Sequence, residues 1–114
     1  MAEAPGQPTI STHVLDTERG VPAPGVRVTL YRLDVGAAPI RMTQALTDSD
    51  GRVRDLLERP LAAGEYRLEF EVGRDDGEAF FRRLALDVSI VDASRSYHVP
   101  VLLAPFSMTT YRGS

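Results

Sequence analysis

Cysteine and lysine are both missing from this 114-residue chain. The first absence excludes disulfides, thiol nucleophiles and thiolate metal sites, and it fits a reducing compartment. The second makes all 13 cations arginine and removes Schiff-base and lysine-nucleophile chemistry. Cations are also outnumbered: 16 acidic residues leave a formal charge of −3 and a pI near 5.3, so a nucleic-acid binder with a basic face is not expected. No run approaches the ~20 apolar residues of a membrane span, and no charge block suggests a membrane surface. Residues 1–8, rich in Pro, Gly and Ala, lack the basic start and apolar run of a secretory signal, so a disordered leader and a cytoplasmic protein are expected. Histidine is scarce too, with only His13 and His98.

What is present is dominated by period-two patterning. Residues 9–15 read as a first strand, and Val26, Val28 and Leu30 alternate with Arg27, Thr29 and Tyr31 in a second. Residues 65–72 interleave four apolar side chains with charged ones, and Leu84, Leu86, Val88 and Ile90 alternate with Ala85, Asp87 and Ser89. Near the end, Val99, Val101 and Leu103 alternate with His98, Pro100 and Leu102. A turn at Ala104-Pro105 makes this stretch a terminal hairpin whose second face presents an imidazole. Turn signals fall at 20–25, 36–39, 48–51, 62–64 and 92–96. Short strands at this spacing imply an all-β, two-sheet antiparallel sandwich of about eight strands. The single helix candidate, residues 74–81, contains Gly77 and has room for about two turns. One core fits the length, burying roughly 65% of the unfolded surface, so residues 9–114 are expected to form one domain.

Three separated motifs carry chemistry-bearing residues: Ile10-Ser11-Thr12-His13-Val14-Leu15-Asp16-Thr17, Thr47-Asp48-Ser49-Asp50-Gly51-Arg52, and Tyr97-His98-Val99-Pro100 with the closing Tyr111-Arg112-Gly113-Ser114. Taken singly, each has a plain structural reading. A strand histidine is usually a hydrogen-bonded surface imidazole. Arg52 alone is a turn-flanking arginine, with Arg54 an equal candidate by parity, and Arg112 alone pairs with an acidic neighbour. His13 and Asp16 have poor spacing for one metal ion, and no cysteine supplements them.

In this order, however, the motifs resemble those of the 5-hydroxyisourate hydrolases, the enzymatic branch of the transthyretin family, over the chain from Thr9 onward. The resemblance implies a two-sheet sandwich of eight strands with one short helix and a homotetramer built as a dimer of dimers. Its active sites would lie in a channel where the terminal segment sits. It implies hydrolysis of a small molecule, 5-hydroxyisourate, to 2-oxo-4-hydroxy-4-carboxy-5-ureidoimidazoline in urate catabolism, without metal or other cofactor. It also selects Arg52 over Arg54 and places Tyr111, Arg112 and Ser114 at the site.

That reaction needs a base for water, a donor for the developing oxyanion and a proton for the leaving ring nitrogen. Imidazole near neutral pKa suits the first and last tasks. A forked, permanently charged guanidinium suits the second and matches a planar ring bearing carbonyls. The expected catalytic set is therefore His13, Arg52, His98 and Ser114, with His13, Arg52, Tyr111 and Arg112 contacting substrate. An acyl-enzyme on Ser114 is disfavoured, because no strand-turn-helix nucleophile elbow surrounds it. The alternatives are a non-catalytic transthyretin-like carrier of small hydrophobic ligands and a prealbumin-like accessory domain; neither needs the two histidines or the terminal Tyr-Arg-Gly-Ser.

Overall fold

The computed structural model describes residues 7–73 and 80–113. Among them lie nine strands: β1 (Ile10–Asp16), β2 (Val21–Pro22), β3 (Arg27–Leu33), β4 (Ile40–Leu46), β5 (Arg52–Val53), β6 (Gly64–Glu71), β7 (Arg83–Ile90), β8 (Tyr97–Ala104) and β9 (Ser107–Thr110). One sheet runs β4-β3-β6-β7; the other runs β2-β1-β8-β9, with β5 also paired to β1.

Alternation decides which residues lie between the sheets. Ile10 and Val14 of β1 and Val28 and Leu30 of β3 are fully buried. So are Leu68 and Phe70 of β6 and Val101 of β8. Each such side chain contributes roughly 1.5–3 kcal/mol through burial. Leu56 and Leu57 close the core from the connection after β5. Thr12 shares the inward parity of β1, and its hydroxyl donates to the Val99 carbonyl at 2.6 Å, so no polar group is left unpaired there. The outward residues of β6 and β7 pair instead with one another. Arg67 forks onto Asp87 directly across the ladder, at 2.7 and 3.1 Å. Arg67 is partly and Asp87 largely exposed, so this face is solvated surface rather than a strong source of stability.

The two-sheet sandwich expected from the pattern is therefore present, with three differences of detail. No helix occurs among the described residues; Phe80 and Phe81 are not helical, and the rest of the expected helix, 74–79, lies outside them. β4 escaped the alternation reading because it is a sheet edge whose apolar positions are irregular, Met42 and Ala45 packing inward while Ile40 and Leu46 stay exposed; its register with β3 shifts between Leu30 and Tyr31. The third difference matters most for the site. β1 and β8 pair parallel, with Ser11 opposite His98 and His13 opposite Pro100. The first and last long strands of their sheet thus lie side by side.

The terminal hairpin also has an interruption with a cause. β8 and β9 pair as far as Val101 with Thr110, and the same register resumes as a bridge between His98 and Gly113. The gap falls where Tyr111 passes Pro100, which has no N–H to offer the ladder.

Candidate active site

β1 directs Ser11 and His13 away from the core, because Ile10, Thr12 and Val14 take the inward positions. β8 does the same for His98, between buried Tyr97 and Val99. The parallel register then sets His98 beside Ser11, and the Ser11 hydroxyl and His98 Nδ1 form a 2.8 Å hydrogen bond. His13 stands two residues further along the same face.

Arg52 reaches that face through the turn before it. Thr47 is buried and fixes the turn's base: its Oγ1 accepts from the Val26 N–H at 2.9 Å and donates to the Ala23 carbonyl at 2.8 Å. The Asp48 carboxylate accepts from the backbone N–H groups of Asp50 and Arg52, at 2.9 and 3.0 Å. These bonds, that from Arg52 foremost, hold the Asp48 pKa below the ordinary carboxylate range. Gly51 then crosses β1 with a φ of 77°, its carbonyl accepting from the Val14 N–H at 2.7 Å. The next residue, Arg52, pairs with His13 across the β1–β5 ladder. Directly opposed residues share a face, so the guanidinium and imidazole stem from neighbouring positions.

Gly51 is therefore the residue that permits this delivery. A Cβ there would lie 2.4 Å from the Val14 carbonyl oxygen, in a backbone conformation that other residues resist. Gly51→Ala is expected to destabilise the fold by about 1–3 kcal/mol from strain alone. Thermal unfolding would read this as a Tm loss of about 4–8 °C per kcal/mol. An unchanged Tm would contradict this account of the turn.

Ser11, Thr12, Arg52, Val53, Arg54 and His98 line an open cleft of about 260 Å³. The His98 pKa is lowered from the usual imidazole value of 6.5, first by partial burial, then by the Arg52 guanidinium and then by His13. His98 therefore stays neutral, and available as a base, further into acid than a free imidazole. A larger cavity of about 650 Å³ lies elsewhere, lined by Asp16, Arg19 and Glu71 as well as by Val21, Leu103 and Met108. It contains neither histidine, whereas the smaller cleft sets an imidazole beside a guanidinium and is the candidate site on that ground. Among the described residues, no three His, Asp or Glu side chains are grouped as a metal ion would require.

The terminal segment divides by parity. Gly113 lies against the His98 ring: a Cβ there would stand 2.8 Å from His98 Cδ2, and its N–H donates to the His98 carbonyl at 2.7 Å. Tyr111 has the same parity and is 55% exposed. Arg112 has the opposite parity, and its guanidinium carbon sits 5.4 Å from the centroid of the Tyr97 ring. The structure thus brings His13, Arg52 and His98 to one face, with Tyr111 at its edge, but sends Arg112 to the other side of β8. Ser114 lies outside the described residues. Ser11 carries no functional signal in the sequence, since only the parallel pairing of β1 with β8 reveals its imidazole partner. Arg54, the parity alternative to Arg52, also borders the cleft but lies beyond β5.

The fold and cleft define a class: a transthyretin-like β-sandwich carrying two imidazoles and a guanidinium on the outer face of one sheet. The chain belongs to the HIUase/Transthyretin family, whose profile matches residues 10–113. Over 96% of this chain and 98% of the relative, it is 42% identical to 5-hydroxyisourate hydrolase of Deinococcus radiodurans. It is 44% identical to 5-hydroxyisourate hydrolase 2 of Rhizobium meliloti, over 92% and 95% of the two chains. Among solved structures, the Klebsiella pneumoniae 5-hydroxyisourate hydrolase superposes with a TM-score of 0.81 at 38% identity, covering 95% of this chain and all of that one. Sea bream transthyretin, at 24% identity and a TM-score of 0.83, shares the fold.

Proposed function

We propose that this protein is an enzyme that hydrolyses 5-hydroxyisourate to 2-oxo-4-hydroxy-4-carboxy-5-ureidoimidazoline, and that residues 9–114 carry the activity as one domain. The observation that carries this reading is the grouping of His13, Arg52 and His98 on one sheet face beside a polar cleft, in a chain similar along its length to hydrolases of that name. A carrier of apolar ligands would have no use for a cleft of this polarity.

In the proposed reaction a neutral imidazole takes a proton from water as the water oxygen bonds to a ring carbonyl carbon. The Arg52 guanidinium stabilises the resulting oxyanion, and collapse of the tetrahedral carbon breaks the ring C–N bond. The leaving nitrogen receives a proton from an imidazolium, so protons balance without a cofactor. His98 is suited to the first step, because its depressed pKa keeps the lone pair available; His13, opposite Arg52 in the ladder, is proposed to share the proton traffic. Tyr111 is proposed to contact substrate at the edge of the face and Ser114 to assist by holding water or an imidazole. A contact from Arg112 would require a site shared with another subunit.

The test is spectrophotometric: 5-hydroxyisourate is generated from urate with urate oxidase, and its ultraviolet decay is followed with and without this protein. Faster decay in proportion to added protein is expected; decay at the spontaneous rate would overturn the reading.

The same proposal includes a homotetramer, a dimer of dimers, in which the imidazole-bearing face meets its counterpart. An open cleft of about 260 Å³ on a single subunit leaves a small substrate exposed to water, and exposed Tyr111 and Phe106 border this sheet's terminal hairpin. Light scattering should give four times the 12.5 kDa chain mass; a monomer at working concentration would contradict it. No described helix is long and apolar enough to cross a membrane. A cytoplasmic location is proposed, supported by the cysteine-free composition; recovery in a membrane or secreted fraction would contradict it.

A further inference from the structure

We infer that Ser11 is a positioning residue that holds the His98 imidazole in one orientation, with Nδ1 tied to the serine hydroxyl and Nε2 left to meet water and substrate. This rests on the hydrolase reading above and deepens it, since that reading assigns Ser11 nothing.

Three observations support the inference. The Ser11 Oγ to His98 Nδ1 distance is 2.8 Å, and the bond spans two strands fixed in parallel register at that very pair. The contact is therefore built into the sheet and not made by a wandering side chain. Next, the Cδ2 edge of the ring is closed by Gly113, where even a methyl group would overlap the imidazole. Hydroxyl on one edge and bare backbone on the other confine the ring plane. Finally, His98 Nε2 has no hydrogen-bond partner among the described residues, and Ser11 and His98 both line the cleft.

The chemistry follows from the two ways a hydroxyl can bond. When it accepts from Nδ1–H, Nε2 carries the lone pair and can take a proton from water. After that transfer, Nδ1–H remains bonded to Ser11 while Nε2–H is ready for the leaving nitrogen. With the hydroxyl as acceptor, the serine holds the tautomer that serves as base and keeps the same ring nitrogen aimed through both proton transfers; with the hydroxyl as donor, Nε2 would carry the hydrogen and the nitrogen-15 pattern given below would be reversed, which would overturn the inference.

Ser11→Ala and Ser11→Thr separate this from a packing role. Loss of one hydrogen bond to a working imidazole should lower kcat about tenfold in the alanine variant. KM should stay within about twofold, because the hydroxyl orients the base without binding substrate. Threonine keeps the hydroxyl on a strand that favours β-branching, so it should restore most of kcat. In nitrogen-15 spectra of the wild type at a pH where His98 is neutral, Nδ1 should resonate as the protonated nitrogen and Nε2 as the bare one. The alanine variant should show both nitrogens shifted toward a tautomer average. Wild-type kcat in Ser11→Ala, a threonine variant as slow as alanine, or His98 resonances unmoved by the alanine change would each overturn the inference. If wild-type protein fails to speed hydroxyisourate decay, the hydrolase reading falls, and the His98 resonances still decide whether Ser11 sets the ring.

Discussion

Replacing His98 by alanine is expected to lower kcat for 5-hydroxyisourate hydrolysis by at least about two orders of magnitude, the low end for a lost acid or base. The fold should survive. His98 faces away from the core, between inward Tyr97 and Val99, so its removal opens no cavity among the buried side chains. The effect on Tm should accordingly be small, and activity lost with Tm retained separates chemistry from folding. His13→Ala should fall by a similar factor if its imidazole shares the proton traffic beside Arg52. Near-normal kcat in both variants would end the proposed mechanism.

The pH dependence of the wild type carries the same message. With the His98 pKa depressed below 6.5, chiefly by burial, the acid-side fall in kcat/KM should lie below pH 6.5. The sign for stability runs in the same direction. The unfolded imidazole binds its proton at higher pH than the folded one, so stability is full above the ordinary value and declines as pH falls toward the folded value.

Arg52→Lys should also be damaging, lowering kcat/KM by about 10²-fold or more, in the range found for loss of a donor to a developing oxyanion. Lysine keeps the charge but replaces a planar fork by a single point on a flexible stem. Arg52→Ala should do at least as much harm and add a second effect. The guanidinium is one of the causes of the His98 shift, so its loss should move the acid limb to higher pH, whereas lysine should leave that limb nearly in place. Unaltered kcat/KM in both variants would assign substrate to another cation, with Arg54 at the cleft wall the first to test.

Much of this arrangement is legible in the sequence because strand parity is strict. Once 10–16 and 97–104 are strands with apolar alternate residues inward, His13 and His98 must face outward, and Asp50-Gly51 marks a tight turn that starts a strand at Arg52. What parity cannot supply is which strands are neighbours. Ser11 and His98 are 87 residues apart, and nothing local announces that β1 and β8 run parallel side by side. That pairing alone turns an unremarked serine into the partner of an imidazole.

Arg112 shows the opposite case. The terminal motif groups it with Tyr111 and Ser114, whereas alternation from the Val101–Thr110 pair puts Tyr111 and Gly113 on the His98 side and Arg112 on the Tyr97 side. That register belongs to the pairing of β8 with β9 and is carried by neither strand alone. β4 was hidden for another reason: an edge strand half open to water has little need of regular alternation.

Substrate is expected to meet the outer sheet face and not the larger cavity lined by Asp16, Val21, Glu71, Leu103 and Met108. A crystal structure of the assembled protein with a stable, planar, urate-like analogue tests it most directly. The analogue is expected beside β1, β5 and β8, with a ring carbonyl on the Arg52 guanidinium and an imidazole nitrogen of His13 or His98 within hydrogen-bond reach. Density for the analogue in the 650 Å³ cavity, with the two imidazoles and Arg52 untouched, would contradict it.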